Sequence, residues 1–413
     1  MRTILHSDLN NFYASVEILR HPELKDRPLI VCGNKEDRHG IVLAKNMIAK
    51  SAGIKTGDVY WDAKRKAPGL AELPADFSAY LRVSKEVRKI YERYTDRVEA
   101  FGIDECWLDV SDAARIFGGG VKIAEEIRRA VKSEIGITAS VGVSWNKIFA
   151  KLGSDMKKPD AVTEITPENY KDIVWRLPVE ELLYVGKATK RKLNKYGIFT
   201  IGELARTDEK LLCGWLGKWG TYLHVFANGR DETPVVRRGE EQNIKSIGNS
   251  LTNYRDLDCD EDVYLLLLLL SDSVAARLRE SAFSKARTVQ IMVTDTSLLH
   301  YVRQGKLPLP SRSAKEIADF AFRMFKDLFP SKYNVRALSV SVRDFLDGNE
   351  QLNVFSDVLE EKKSDDLERS LDALRRKYGN NVIQRATILK DERLKHMDIK
   401  GEHVIHPENY FGK

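Results

Sequence analysis

Asp104 and Glu105 stand side by side in EAFGIDECWLDV, residues 99 to 110, and the pairing raises a question of chemistry. Phe101 and Ile103 precede the acids, and Trp107, Leu108 and Val110 follow. Such aromatic and β-branched enrichment reads as strand. Neighbouring strand residues point to opposite faces, so a mid-strand acid pair would drive one charge into the core. A hairpin removes the conflict: strand 98–103 turns at the acids, returns as strand 106–110, and both carboxylates reach water. The pair could then be solvated turn residues and nothing more. With a third carboxylate it could also be a hard-oxygen site for Mg²⁺. Asp8 is the candidate third, at the end of a strand RTILH (2–6) and before a helix NNFYASVEILR. Three crowded carboxylates repel until one protonates, unless divalent cations lie among them. Two such cations can bridge a nucleoside triphosphate to an attacking hydroxyl for in-line phosphoryl transfer. The backbone carbonyl of Leu9 would assist Asp8.

Triphosphate handling needs cations as well. Lys50 lies in a short helical stretch, and Lys157 and Lys158 sit in SDMKKPDA. An ammonium is a compact charge suited to phosphate, although a single lysine is more often a solvated surface residue. Phe12 and Tyr13 follow Asp8 by one helical turn. Tyr13 could stack beneath a nucleotide sugar and clash with a 2′-hydroxyl; Phe12 is a second candidate nucleotide contact but reads better as core. In LYVGKATKRKLNKYGI (183–198), Val185, Gly186 and Lys187 form the turn between two helices. Such a turn aims backbone N–H groups at a DNA phosphate, and Lys190, Arg191 and Lys192 add charge. QLNVF (351–355) places Leu352, Val354 and Phe355 after Gln351 in a polar tail, which reads as apolar anchors for a partner's groove.

The elements that must position these residues follow from periodicity. The first strand and helix lead into strands 28–32 and 40–44 and helices 45–53 and 59–67. A longer helix spans 76–94, and beyond the acidic hairpin come helix 120–134, strand 137–143 and a helix from Asn146. The order predicts an α+β sheet with helices on one face. Residues 166–230 carry only helical patterns, and 231–243 lacks periodicity and reads as a linker. Residues 244–344 read β-α-β-β-α-β. A last helix at 364–378 would turn Leu367, Leu371 and Leu374 inward.

With 413 residues the chain needs more than one core. Its 43% hydrophobic and 31% charged content is that of an ordinary globular protein. A net charge of +6 and a pI near 8.9 permit a polyanionic partner. Cys32, Cys106, Cys213 and Cys259 have no CxxC spacing, so a zinc site or disulfide framework is not expected. His396, His403 and His406 have no rigid frame for a metal. The apolar run VYLLLLLL (263–270) is too short to span a bilayer, and no membrane role is expected.

Taken together, these stretches resemble the Y-family of translesion DNA polymerases, in its bacterial polymerase IV type. SDLNNFYASVE (7–17) resembles the first family motif, GIDECWLDVSD (102–112) the second and SVGVSWNKIFAKLGSDMKKPDA (140–161) the third. The resemblance implies a palm at 1–20 and 76–165, fingers at 21–75, a helix-hairpin-helix thumb at 166–230, and a linker at 231–243. A little finger follows at 244–345, opening on KSIGNSLT with Lys245 against DNA, and then a tail at 346–413. Asp8, Asp104 and Glu105 would hold two Mg²⁺, Tyr13 would be the steric gate, and Lys50 and Lys158 would meet the triphosphate. QLNVF resembles a sliding-clamp-binding peptide. The implied function is template-directed, low-fidelity synthesis from dNTPs on primer-template DNA, past damaged bases, by a cytoplasmic bacterial monomer. The family often shows a Tyr and an Arg where this chain has Met47 and Lys50, so a hydroxyl and a bidentate grip are absent there. Two other readings were open: a catalytically weak, clamp-tethered relative and a nucleotide cyclase. The cyclase has no use for the helix-hairpin-helix, the second sheet domain or QLNVF.

Overall fold

The computed structural model describes residues 2–33, 40–237, 240, 244–281, 283–329, 333–347 and 358–400. The chain forms two compact units that part at residues 241 and 242. Among the described residues no helix is long and apolar enough to cross a membrane.

The first unit opens with β1 (Ile4–Leu9) and α1 (Phe12–Arg20). A small insertion follows: β2 (Leu29–Cys32), β3 (Val42–Lys45), α2 (Met47–Ser51), α3 (Tyr60–Lys66) and β4 (Ala71–Pro74). Next come α4 (Phe77–Tyr91), β5 (Val98–Ala100), β6 (Glu105–Asp109), α5 (Ser111–Phe117) and α6 (Gly120–Ala130). β7 (Ala139–Ser144), α7 (Lys147–Met156) and β8 (Val162–Glu164) complete the layer.

The main sheet has the order β5-β6-β1-β7-β8. The central β1 is antiparallel to both β6 and β7, and β8 lies parallel to β7. Strand alternation divides its faces. Leu5 and Leu9, Cys106 and Leu108, and Val141 and Val143 share one core with Phe12, Tyr80, Tyr91 and Ile127 from α1, α4 and α6. The sequence order predicts helices on one face only; α1, α4 and α6 cover this one, but α7 packs on the other, so helices cover both. His6, Asp8, Trp107 and Gly142 alternate onto the other, where α7 lies. A Cβ on Gly142 would overlap the Ala150 carbonyl and the Ser154 amide, so glycine is what lets α7 come this close. Asn146 starts α7, its side-chain oxygen accepting from the Phe149 N–H at 2.8 Å.

Several boundaries differ from the pattern-based expectation. β1 runs on through Asp8 to Leu9 because β7 pairs with it to that point. β4 and β8 carry no alternation of their own and are held by the parallel partners β2 and β7. The insertion is therefore a three-stranded sheet, β3-β2-β4, over a core that includes Ile30, Val42, Ile54 and Tyr60.

From Thr166 to Gly229 the chain is helical: α8 (Tyr170–Ile173), α9 (Lys187–Lys195), α10 (Ile201–Arg206), α11 (Glu209–Leu216) and α12 (Lys218–Ala227). The helix expected just before Val185 is only a 3-10 turn at Val179–Glu181, since Tyr184 takes a left-handed φ of 72° and breaks the path. Residues 231–237 are not a free linker. Asp231 and Val235 are each 4% exposed, and the Val236 N–H donates to Glu99 at 2.9 Å.

The second unit follows the expected β-α-β-β-α-β order: β9 (Ser246–Leu257), α13 (Asp260–Glu280), β10 (Phe283–Asp295), β11 (His300–Ser311), α14 (Ala314–Leu328) and β12 (Val335–Asp347). Its antiparallel sheet has the order β11-β10-β12-β9, and α13 buries Leu265 to Leu268 and Leu270.

The tail departs most from expectation. α15 (Val358–Tyr378) begins before residue 364, and its buried face is ionic rather than leucine-lined. Leu367 and Leu374 are exposed, whereas Glu368 and Asp372 are buried against Arg279. The Arg279 Nε donates to Asp372 at 2.6 Å, and Arg385 donates to Asp272 at 2.9 Å. Ile388, Leu394 and Ile399 then join the core of the second unit. The segment QLNVF, Gln351 to Phe355, lies outside the described residues.

Candidate active site

Register brings the acids together. Asp8 of β1 lies opposite Glu105 of β6 and Ser140 of β7. Period-two alternation therefore places Asp8 and Glu105 on the α7 face, next to His6 and Trp107. Asp104 is in the turn joining β5 to β6, so the acid pair divides: one residue ends the turn and the other starts the strand. The Leu9 N–H donates to the Asp104 carbonyl at 3.1 Å and fixes the turn against the end of β1. The Phe101 N–H donates to the Glu105 carbonyl at 3.0 Å and closes it.

The electrostatics record the crowding. Burial, then the charges of Glu105 and Asp8, push the Asp104 carboxyl up to about 7. Two lysines, Lys151 on α7 and Lys158 just past its end, partly offset the negative charge. The Lys151 ammonium lies 2.9 Å from Glu105 and 3.2 Å from Asp8, and the Lys158 ammonium lies 2.7 Å from Asp8. Asp155 contacts both, 3.3 Å from Lys151 and 2.8 Å from Lys158. Burial works against the Lys151 cation, but Glu105, Asp8 and Asp155 outweigh it and raise its pKa. His6 is fully buried beneath this group. Its Nδ1 lies 2.9 Å from the Ser154 hydroxyl and its Nε2 lies 3.4 Å from Glu105. Burial, with Lys151 second, lowers its pKa well below the usual imidazole value, which keeps the ring neutral.

Sequence reasoning did not single out His6, Lys151 or Asp155. The signal was present in periodicity. His6 shares a strand face with Asp8, two residues on, and Lys151 and Asp155 are one helical turn apart on α7, with Lys158 just past its end.

Tyr13 on α1 stacks on Tyr80, with centroids 4.3 Å apart and planes at 11°, and meets Phe77 edge-on at 5.8 Å. Burial and the Asp104 charge push its hydroxyl up to about 12, which sets the ring beside the carboxylates. Phe12, expected as a second nucleotide contact, is 3% exposed and packs into the core against Tyr80, so its side chain is structural. Lys50 is exposed on α2 and Met47 beside it is 42% exposed. Burial, then the charge of Lys50, lowers the pKa of Lys45, so two cations crowd this surface.

Val185 is buried, Gly186 caps α9 in extended conformation, and Lys187 opens that helix. A Cβ on Gly186 would meet nothing within 4 Å, so this turn does not need a glycine for space. Lys190, expected to add charge here, is committed to Glu180 at 2.5 Å. Lys245 is exposed just before β9.

The donor set fits hard divalent cations. Asp8 and Glu105 share the Lys151 ammonium, and Asp104 is driven toward protonation by burial and then by the charges of Glu105 and Asp8, a conflict that a divalent cation relieves. The remaining carboxylate of the group, Asp155, is turned to the lysines.

Comparisons with known proteins accord with this arrangement. Residues 7–155 match the model of the impB/mucB/samB family, and residues 244–354 match that family's C-terminal domain. The chain is 52% identical over 395 residues to a DNA polymerase IV of Acetivibrio thermocellus, covering 95% of this chain and 99% of that protein. It is 35% identical over 397 residues to DNA polymerase IV 1 of Bacillus subtilis, covering 95% of each. A solved Y-family DNA polymerase chimera superposes with a TM-score of 0.73 at 24% identity, over 84% of this chain and 100% of the other.

Proposed function

The chain belongs to the impB/mucB/samB family, that of the Y-family DNA polymerases, and from that premise we propose how its own residues carry out the reaction. It is a DNA-directed DNA polymerase of the translesion type, and members of its family use divalent metal ions. In our reading Asp8, Asp104 and Glu105 hold two Mg²⁺, with the Leu9 carbonyl as a further ligand. When bound, these ions supply activation of the primer 3′-hydroxyl and neutralise charge building on the triphosphate.

The protein's part is positioning. β1 and β6 fix two carboxylates in register, and the Leu9 to Asp104 hydrogen bond sets the third. Lys158 leaves Asp8 for the triphosphate, and Lys50 adds a second positive charge. Tyr13, braced by Tyr80, forms a floor under the sugar that leaves no room for a 2′-hydroxyl. The helix start at Val185, Gly186 and Lys187 offers amides to a DNA phosphate, and Lys245 meets the backbone from the second unit. These contacts carry no base information, so binding is sequence-independent and weakens with salt. We assign the palm to 1–20 and 76–165, fingers to 21–75, thumb to 166–230 and little finger to 244–345. The clamp-binding peptide is Gln351, Leu352, Val354 and Phe355, and the enzyme works as a cytoplasmic monomer tethered to the sliding clamp.

One observation carries this reading: Asp8 and the Asp104–Glu105 pair, brought from two distant stretches, lie by a half-buried tyrosine, with Asp104 pushed up to about 7 by burial and by the charges of Glu105 and Asp8. Asp104→Ala is expected to abolish dNTP addition in a primer-extension assay while fluorescence anisotropy shows DNA affinity nearly unchanged. Extension near the wild-type rate would remove Asp104 from the metal site.

A further inference from the structure

Lys151 is the one cation of the carboxylate group that the mechanism above leaves without a task. Its ammonium lies 2.9 Å from Glu105 Oε2 and 3.2 Å from Asp8 Oδ2, within reach of both carboxylates at once. Its side chain is only 12% exposed, so solvent screens the contact poorly. A divalent cation ligated by the same oxygens would sit about 2.1 Å from each. The ammonium and the metal ion then compete for the same lone pairs at a separation where like charges repel strongly. One helical turn on, Asp155, 41% exposed and paired through its other oxygen with Lys158 at 2.8 Å, offers another acceptor at 3.3 Å.

We propose that Lys151 is a counterion built into the metal site: it competes with the entering divalent cation for Asp8 and Glu105, and Asp155 takes up its ammonium when that cation binds. The inference rests on the reading of Asp8, Asp104 and Glu105 as metal ligands. Its consequence is that cation loading is weak on the protein alone and gains strength when a triphosphate brings its own negative charge. Lys158 reaches Asp8 at 2.7 Å but not Glu105, and a triphosphate would draw it away, so Lys151 is the ammonium set against both carboxylates. Lys151 and Asp155 act through the carboxylates, so both are positioning residues.

The test is Mn²⁺ binding to the full chain without DNA or dNTP, read as free Mn²⁺ by electron paramagnetic resonance. Lys151→Met is expected to lower the Mn²⁺ Kd about tenfold, the effect of removing one like charge at this distance. Lys151→Gln, read in parallel, should do the same, and Lys151→Arg should stay near wild type. Asp155→Asn should raise the Kd several-fold, and that rise should vanish in the Lys151→Met background, because Asp155 works through Lys151. An unchanged or higher Kd in both Lys151→Met and Lys151→Gln would overturn the proposal. An Asp155→Asn effect that persists in full without the lysine would overturn the part given to Asp155. If Asp104→Ala leaves Mn²⁺ binding untouched, the ions bind elsewhere and it is the metal-ligand reading that fails.

Discussion

Asp104 and Glu105 are adjacent in sequence yet do different structural work. Glu105 starts a strand and inherits its direction from the β1 register, whereas Asp104 ends a turn that the Leu9 amide pins. Their types were readable because charge next to a hydrophobic strand demands an outlet, and a metal site is one. Lys151 was harder to read. A lysine in a helix is solvated by default, and only the stacking of α7 on the sheet brings this one to within 2.9 Å of Glu105. Phe12 and Tyr13 show the same limit, since adjacent aromatics on a helix point in different directions and only packing says which is core. Phe12 is buried, while Tyr13 lies beside Asp104 with its ring backed by Tyr80. Tyr13→Ala removes the floor but not Tyr80. It is expected to raise ribonucleotide use relative to dNTP use at least about tenfold, the scale of a steric discrimination in a shaped pocket. Single-nucleotide incorporation kinetics measure this, and an unchanged ratio would take Tyr13 out of sugar selection.

α7 is the element on which the site depends most. It carries Lys151 and Asp155 and leads directly to Lys158, and its seat on the sheet requires a glycine at 142. Gly142→Ala places a methyl group against the helix backbone, which cannot give way as a flexible side chain would. We expect a loss of about 3 kcal/mol in chemical denaturation, at the upper end of overpacking effects, together with slower nucleotide addition as α7 lifts. The loop after α7 is held by Asp160, which accepts from Arg128 and from Lys132, each at 2.8 Å. Burial works to raise the Asp160 pKa, but the hydrogen bonds from Lys132 and Arg128 outweigh it and hold it below the usual value. A depressed carboxyl contributes stability that is full above the unfolded pKa of about 3.9 and is lost as pH falls through the folded value. Asp160→Asn keeps a residue tolerant of the φ of 53° at this position, so the charge alone is tested. The variant should be about 1 kcal/mol less stable at neutral pH, and the gap should close on acidification below about pH 4. Urea unfolding followed across that range checks it; a gap independent of pH would show that the charge is not the cause.

At the scale of the whole chain, the second unit is larger than its β-α-β-β-α-β pattern. α15 and the residues to Lys400 pack onto it through Arg279, Glu368, Asp372 and Arg385. Asp372→Ala leaves Arg279 buried with a partner missing, and the cost should be about 3 kcal/mol. Hydrogen exchange should lose protection in α13 and β12 while β1 and β6 keep theirs; equal loss in both units would contradict the assignment of the tail to the second. Periodicity pointed to leucines on the buried face of α15, because hydrophobic burial is the default driving force and a helix read alone shows no partner. The partner here is a set of arginines on distant segments, which no local pattern reveals. By itself, the amino-acid sequence determined the elements with strong periodicity and the three acids that no bare core would accept. Both are local consequences of side-chain type and spacing. Tertiary structure alone decided the ends of β1, the strands β4 and β8, the face α7 covers, the counterions of the acids and the place of the tail. Each of those depends on which surfaces meet across long stretches of chain, and pairing of that kind is a property of the packed molecule.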